Sequence, residues 1–154
     1  MNAEIRQATA LDIPALLPLV EQYWIFEDIA GFDGPRVGRE LARVIASPDL
    51  ARAWIALAKG QPVGYLLAVY VFSLEHLGLT AEIDEFFVLP LARGQGIGEE
   101  LLRLAEAEFV RRKCTNVALQ LGRGNDRART FYRALGYGER EGYELLDKML
   151  GRSA

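Results

Sequence analysis

The chain has 154 residues, of which 51% are apolar and 25% are charged, and its formal net charge is −3. This length and composition predict one globular domain, residues 1–154, with a sizeable hydrophobic core. The negative charge argues against a general nucleic-acid binder, because such proteins are normally basic. The single cysteine, Cys114, excludes an internal disulfide and a metal site built from several cysteines.

Two further features bear on location. Residues 1–6 lack the apolar run of a signal peptide, and no apolar run reaches the roughly 18 residues of a membrane span. A lone thiol at Cys114 is typical of a reducing compartment. We therefore expect a cytoplasmic protein without a membrane partner.

The first half of the chain predicts a strand, two helices and then three strands in succession. Apolar residues recur at helical spacing from Ile13 to Trp24, and Pro18 is expected to kink that helix. The segment Lys59-Gly60-Gln61-Pro62 predicts a hairpin turn. In chain order we expect a strand over 5–8, helices around 13–24 and 37–45, and strands over 52–58, 63–74 and 81–88.

The second half alternates helices and strands. The strongest helical pattern runs from Gly98 to Arg112, and a strand follows over 117–121. Asn125 is expected to cap a last helix that ends at Gly136, and Tyr143 to Met149 predicts a final strand. The order β-α-α-β-β-β-α-β-α-β predicts an α+β (mixed α/β) fold with a mostly antiparallel sheet flanked by helices.

The most informative segment is Arg93-Gly94-Gln95-Gly96-Ile97-Gly98, which lies between a predicted strand and the strongest predicted helix. Three glycines at alternate positions let backbone N–H groups converge, and the helix adds the positive end of its dipole. This arrangement predicts a pyrophosphate site. Its N–H donors are expected from Gln95, Gly96, Ile97, Gly98 and Glu99.

Two common phosphate-binding loops do not fit this segment. A Walker A loop requires Gly-Lys-Ser/Thr, which the chain lacks. A Rossmann fingerprint requires a third glycine, but Glu99 or Leu101 stands there, depending on whether the pattern begins at Gly94 or Gly96.

The segment does match the acetyl-CoA signature Arg/Gln-x-x-Gly-x-Gly/Ala, and here the chain resembles the GNAT family, the GCN5-related N-acetyltransferases. The approach Glu85-Phe86-Phe87-Val88-Leu89-Pro90 resembles that family's fourth strand, and the segment from Asn125 to Tyr137 resembles its second cofactor motif. The resemblance covers nearly the whole chain. It implies a partly splayed sheet, acetyl-CoA as co-substrate, and direct acetyl transfer to an amine without a metal.

The resemblance also implies catalytic roles. Tyr132 is the expected acid, because a tyrosine at this place in the family lies near the sulfur of CoA. The base is expected at Glu82 or Asp84, and we favour Asp84. Strand alternation puts Glu85 on the opposite face unless a bulge shifts the register.

The remaining cofactor contacts follow from the same resemblance. Backbone groups of Phe86 and Val88 are expected to pair with the pantetheine amides like an added strand. The side chain of Asn125 is expected to contact the cofactor, and Arg93 and Arg129 are candidates for phosphate contacts. The alternative for Arg127, Arg129 and Arg133 is a solvated helix face. His76 is expected in a surface loop.

The acceptor is less strongly indicated. The first two helices and the loop after the third strand carry acidic residues that would attract a cationic amine; these are Glu21, Glu27, Asp28, Asp33 and Glu75. The segment from Ile83 to Val88 is similar to the fourth strand of diamine and polyamine acetyltransferases. We therefore favour a small amine, and peptide N-termini, protein lysines and aminoglycosides remain alternatives.

Two wider questions also stay open. One is whether the protein is an acetyl-CoA sensor that transfers nothing. The other is its assembly, because members of the family often form dimers and the resemblance is compatible with a homodimer.

Overall fold

The computed structural model describes residues 2–151, which form two compact units that divide after Gln120. The second unit contains a single helix, α4 (Asp126–Ala134). The helices of the first unit are α1 (Ile13–Phe26), α2 (Gly34–Ala46) and α3 (Ile97–Arg111), with single 3₁₀ turns at Ala10–Asp12 and Pro90–Ala92. Its strands are β1 (Ala3–Gln7), β2 (Ala51–Ala58), β3 (Gln61–Ser73), β4 (Gly78–Val88) and β5 (Val117–Leu119).

The five strands form one sheet in the order β1-β2-β3-β4-β5. The first three pairs are antiparallel and β4–β5 is parallel, which confirms the predicted mixed fold with a mostly antiparallel sheet. The β4–β5 pairing covers only Ala81 to Ile83, whereas the β3–β4 pairing continues to Val88. Within the described chain, residues 84–88 therefore have a strand partner on one side only.

A bulge interrupts the β3–β4 ladder. Leu67 stands opposite Glu85, whereas the next residue, Ala68, stands opposite Ile83. Asp84 is thus an extra residue with no counterpart on β3. Such a bulge breaks the strict alternation of side chains between the two faces of a strand.

Helices cover both faces of the sheet. Neighbouring residues on β2 point to opposite faces. Ile55 packs into the buried cluster formed with α1 and α2, whereas Trp54 meets Phe109 of α3 edge-on at 5.9 Å between ring centroids. The first cluster consists of Leu16, Leu19, Val20, Leu41, Ile55, Tyr65 and Phe87.

The element boundaries differ slightly from the sequence-based predictions. Lys59 and Gly60 alone form the β2–β3 turn, with φ of 51° and 77°, so β3 begins at Gln61. Two residues with positive φ suit the twist of a tight hairpin. The helix α1 continues through Pro18 to Phe26. None of the described helices combines the length and apolarity needed to cross a membrane.

The prediction of a final strand over residues 143–149 is wrong. This segment has no regular secondary structure, and Tyr143, Leu145, Leu146 and Met149 are exposed. Alternating apolar and polar residues suit the two faces of a strand. A strand also requires a neighbouring strand with which its backbone forms hydrogen bonds. No strand within residues 2–151 pairs with this segment.

Candidate active site

The start of α3 has the geometry of an anion site. Gly94 and Gly96 have φ of 77° and 83°, and Gly96 is the N-cap residue, without a side-chain cap hydrogen bond. A Cβ at either glycine would meet nothing within 4 Å, so the left-handed backbone, and not lack of space, requires glycine there. Ile97, at 3% exposure, anchors the first turn in the core. The N–H groups of that turn, including those of Gly98 and Glu99, suit a phosphate.

Arg93 lies immediately before this glycine loop and is bound to the protein. Its Nε–H donates a hydrogen bond to the carbonyl of Val88 at 2.8 Å. Its guanidinium carbon lies 5.4 Å from the ring centroids of both Phe26 and Phe87. These contacts join the loop to the end of β4. Gln95, which lies within the loop between Gly94 and Gly96, is exposed.

The part of β4 that has no β5 partner, residues 84–88, begins at a cleft and ends just before the glycine loop. Phe86 and Val88 are partly buried and lie beyond Ile83, where pairing with β5 ends. The cleft has a volume of about 320 Å³ and lies between α1, α2, β3 and β4. Its apolar wall includes Val20, Val37, Leu41, Val44 and Leu67. Its charged residues are Asp33, Arg36, Glu40, Asp84 and Glu85.

Glu85 is held by two hydrogen bonds within this cleft. Its Oε1 accepts from the Tyr65 hydroxyl at 2.8 Å, and its Oε2 accepts from Trp24 Nε1 at 2.9 Å. Burial raises the pKa of Glu85, the two hydrogen bonds oppose that rise, and the charge of Asp84 adds to it. Burial, followed by the charge of Glu85, likewise raises the pKa of Tyr65 well above its ordinary value.

Asp84 is placed differently, although it is the adjacent residue. It lies at the bulge, lines the cleft and is reached by solvent. Burial nonetheless raises the pKa of its carboxyl group. Exposure and a raised pKa are compatible in a concave surface, where water reaches one side and protein surrounds the rest.

Glu82 does not lie with these two carboxylates. It stands opposite Val69 on β3 and Ala118 on β5, is exposed, and is not among the residues that line the cleft. The structure therefore brings Asp84 and Glu85 to one cavity and leaves Glu82 outside it.

The remaining predicted residues lie in the second unit. Asn125 is the N-cap of α4, and its side chain accepts a hydrogen bond from the N–H of Ala128 at 3.2 Å. Tyr132 is partly buried, and its ring lies edge-on to Phe131 at 5.3 Å and Tyr137 at 5.5 Å. Arg129 pairs with Glu139 at 3.3 Å. Arg127 and Arg133 are exposed, as a solvated helix face requires.

Several cleft residues were missed by the sequence analysis. Of the five acidic residues expected near the acceptor, only Asp33 lines the cleft. Trp24, Arg36 and Glu40 were not considered for this role. A signal was present, because Val20 and Trp24 on α1, and Arg36, Glu40 and Val44 on α2, recur at the four-residue spacing that places side chains on one helix face.

A model of the Acetyltransferase (GNAT) family matches residues 18–137. The chain belongs to this family. It is 34% identical over 131 residues to an uncharacterized N-acetyltransferase of Archaeoglobus fulgidus, covering 84% of this chain and 88% of the relative. It is also 36% identical over 105 residues to an aminoalkylphosphonate N-acetyltransferase of Salmonella typhimurium, covering 68% of this chain and 65% of the relative.

Solved structures share the fold of this GNAT protein. One is a predicted acetyltransferase from Clostridium acetobutylicum with acetyl-CoA, which aligns with a TM-score of 0.80 and 20% identity over 95% of this chain and 96% of that one. The family resemblance and the prediction of an N-acetyltransferase enzyme are confirmed. Acetyl-CoA is the co-substrate of GNAT enzymes, so its use here is implied by the family. The similarity to diamine and polyamine acetyltransferases stays a prediction.

Proposed function

We propose that this GNAT enzyme moves an acetyl group from acetyl-CoA directly to a primary amine of a small cationic molecule. The observation that carries the proposal is the cleft, which combines a volume of about 320 Å³ with four carboxylates and one arginine. Small-molecule sites commonly have roughly 300–1,000 Å³. An excess of negative charge favours a cationic acceptor.

The donor side of the site is supported by the glycine loop and the open edge of β4. The loop fits a pyrophosphate, because its left-handed glycines leave the first turn of α3 without a side-chain cap. We assign the pyrophosphate to the N–H groups from Gln95 to Glu99 and the pantetheine to backbone groups of Phe86 and Val88. By the family resemblance, Asn125 and Arg129 remain proposed cofactor contacts.

We assign the proton transfers to Asp84 and Tyr132. When the new carbon–nitrogen bond forms and the carbon–sulfur bond breaks, Asp84 accepts the proton that the amine loses. Tyr132 donates a proton to the departing sulfur. A raised pKa makes Asp84 a better base than an ordinary aspartate, and a phenol is neutral and able to donate at pH 7. Glu82 is the weaker candidate for the base, because it does not line the cleft.

An acceptor screen tests this function. Release of free CoA thiol from acetyl-CoA is measured with diamines, polyamines, amino acids, aminoglycosides, peptides and a lysine-rich protein. We expect the highest kcat/KM for a small cationic amine. A clear preference for peptides or protein would support the alternative of a protein N-acetyltransferase. Tight acetyl-CoA binding without turnover on any amine would support a sensor.

A second acceptor class is favoured by one residue of the cleft. Arg36 lines it together with the carboxylates, and a guanidinium suits a phosphonate. One relative is named as an aminoalkylphosphonate N-acetyltransferase. The screen therefore includes an aminoalkylphosphonate beside the same amine without its phosphonate. A higher kcat/KM for the phosphonate would favour this class over a purely cationic acceptor.

Location and assembly belong to the proposal as well. We propose a cytoplasmic enzyme, supported by the free thiol of Cys114, and a protein that does not bind nucleic acid, supported by its net charge of −3. Light scattering on the purified protein separates a monomer from the homodimer that the family resemblance leaves open.

A further inference from the structure

Both carboxylate oxygens of Glu85 are engaged by donors from distant parts of the chain. Tyr65 on β3 is 20 residues away in sequence, and Trp24 on α1 is 61 residues away. Both donors are held in place. Tyr65 is 1% exposed, and its ring meets Tyr23 edge-on at 6.2 Å. The Trp24 ring meets Phe32 edge-on at 5.6 Å.

The carboxylate of the neighbouring Asp84 is not held by hydrogen bonds of this kind. Asp84 lies at the bulge, and burial is the cause of its shifted pKa, without a contribution from a hydrogen bond. Protonation of Glu85 would disturb two good hydrogen bonds, whereas protonation of Asp84 would not. The pair therefore divides into a carboxylate that can take a proton without loss of a hydrogen bond and one whose anionic form is favoured by two donors.

We propose that Glu85 is a specificity residue that binds a positive charge the acceptor keeps throughout the reaction, and that Trp24 and Tyr65 are positioning residues that fix Glu85. The proposal rests on the proposed function. The nitrogen that is acetylated must lose its proton, so its charge does not persist. A carboxylate that two donors hold beside the base is therefore matched to a second cationic group, and the acceptor class it selects is a diamine.

The surroundings of Glu85 determine how its charge depends on pH. Asp84 on β4, Tyr65 on β3 and Trp24 on α1 face it directly, and Tyr23 lies behind Tyr65. From α2 and the residue before it, Asp33, Arg36 and Glu40 line the same cleft. Because the Trp24 and Tyr65 hydrogen bonds oppose the rise that burial causes, removing either donor should raise the pKa of Glu85 further.

Three conservative variants test the positioning role. Trp24→Phe and Tyr65→Phe each remove one donor and keep a ring. Tyr70→Phe is the matched control, because the Tyr70 hydroxyl is buried without a hydrogen-bond partner and is not part of the cleft. We expect the first two variants to raise KM for a diamine at least several-fold more than KM for a monoamine of equal length, with KM for acetyl-CoA unchanged. The acidic limb of the diamine kcat/KM profile should move to higher pH.

Glu85→Gln keeps the shape of the side chain and removes its charge, so it should abolish the preference for the diamine. Equal effects of the variants on diamine and monoamine, or the same effects in Tyr70→Phe, would overturn the proposal. A second readout does not depend on turnover. NMR titration of ¹³C-labelled Glu85 should show a higher pKa in Trp24→Phe and Tyr65→Phe than in the wild type. If the wild type acetylates no amine, the proposed function fails, whereas an unchanged Glu85 titration in these variants refutes only the positioning role.

Discussion

The Nε–H of Arg93 donates a hydrogen bond to the carbonyl of Val88 at 2.8 Å, and this contact ties the glycine loop to the last residue of β4. The guanidinium also lies over Phe26 and Phe87. The sequence suggested that Arg93 contacts a phosphate of the cofactor. The structure gives it contacts within the protein that connect the loop to β4 and α1.

Substitution of Arg93 by lysine separates these two roles. Lysine keeps the charge but not the planar donor group that reaches Val88 and stacks on the rings. If Arg93 positions the loop, Arg93→Lys should weaken acetyl-CoA binding about tenfold, nearly as much as Arg93→Ala. Isothermal titration calorimetry gives both dissociation constants. Arg103→Lys, in an exposed pair with Glu100, is the control. Wild-type affinity in Arg93→Lys would favour a simple charge contact with phosphate.

The glycine loop itself is tested by Gly96→Glu. A carboxylate at the start of α3 would occupy and repel an anion site, so we expect acetyl-CoA affinity to fall at least tenfold. Gly60→Glu is a matched control, because Gly60 also has a positive φ, of 77°, and open space around it, but lies in the β2–β3 turn. Both variants should lose similar stability, and only Gly96→Glu should lose binding. Normal acetyl-CoA affinity in Gly96→Glu would remove the phosphate-loop assignment.

Asp84 is tested against Glu82 on the same strand. A base must be ionised to accept a proton, and burial raises the pKa of Asp84. Activity should therefore decline as the pH falls through a value above the ordinary aspartate pKa of about 3.9. Asp84→Asn should lower kcat roughly 10²–10⁴-fold and abolish this acidic limb. In a pH–rate series, Glu82→Gln should leave kcat and the acidic limb nearly unchanged. The reverse pattern would assign the base to Glu82.

Tyr132→Phe tests the proposed acid. Loss of the hydroxyl should lower kcat at least tenfold and leave acetyl-CoA affinity nearly unchanged, because the ring can keep its contacts with Phe131 and Tyr137. Tyr137→Phe removes a hydroxyl from the neighbouring ring and should retain the wild-type kcat. Steady-state kinetics and direct binding measurements distinguish the two effects. An unchanged kcat in Tyr132→Phe would exclude it as the acid.

Asp12 provides a test of stability rather than activity. Its carboxylate accepts two hydrogen bonds from Arg6, at 2.7 and 2.9 Å, and one from the N–H of Thr9 at 2.7 Å. The Arg6 hydrogen bonds are the largest cause that lowers the pKa of Asp12 from 3.8 to about 2. Its stabilisation is therefore present above pH 4 and is lost as the pH falls toward 2.

Asp12→Asn removes the charge that pairs with Arg6, so it should lower the free energy of unfolding by about 1–2 kcal/mol at pH 7. The loss is limited because Arg6 is partly exposed and solvent screens its charge. The difference from the wild type should shrink as the pH approaches 2 in urea titrations. Asp49→Asn is the control, because the Asp49 side chain is 94% exposed beside Arg112. An Asp12→Asn difference that stays constant from pH 7 to pH 2 would contradict this account.

Local features of the site were predictable from the sequence because neighbouring residues determine them. The left-handed backbone at Gly94 and Gly96 and the cap at Asn125 each depend on a few consecutive residues. The two-residue turn at Lys59 and Gly60 is equally local. The failed prediction at residues 143–149 has the opposite cause. Whether an alternating segment becomes a strand depends on a partner elsewhere in the chain.

The sequence predicts which face of the sheet each β4 side chain points to only if no bulge interrupts the strand. Simple alternation separates Asp84 from Glu85, and only a bulge can bring both to one cavity. That bulge arises from the register of β4 against Leu67 and Ala68 on β3, which a pattern within β4 does not contain.

The family, the mixed fold and the predicted pyrophosphate loop could be inferred without a structure, because each depends on short motifs and their order along the chain. Folding alone brings together the carboxylates that line the cleft. Trp24 and Glu85 are 61 residues apart, and their hydrogen bond exists because α1 packs on the sheet face where β4 bulges. Contacts of that kind depend on packing and strand register, which residue spacing along the chain does not specify.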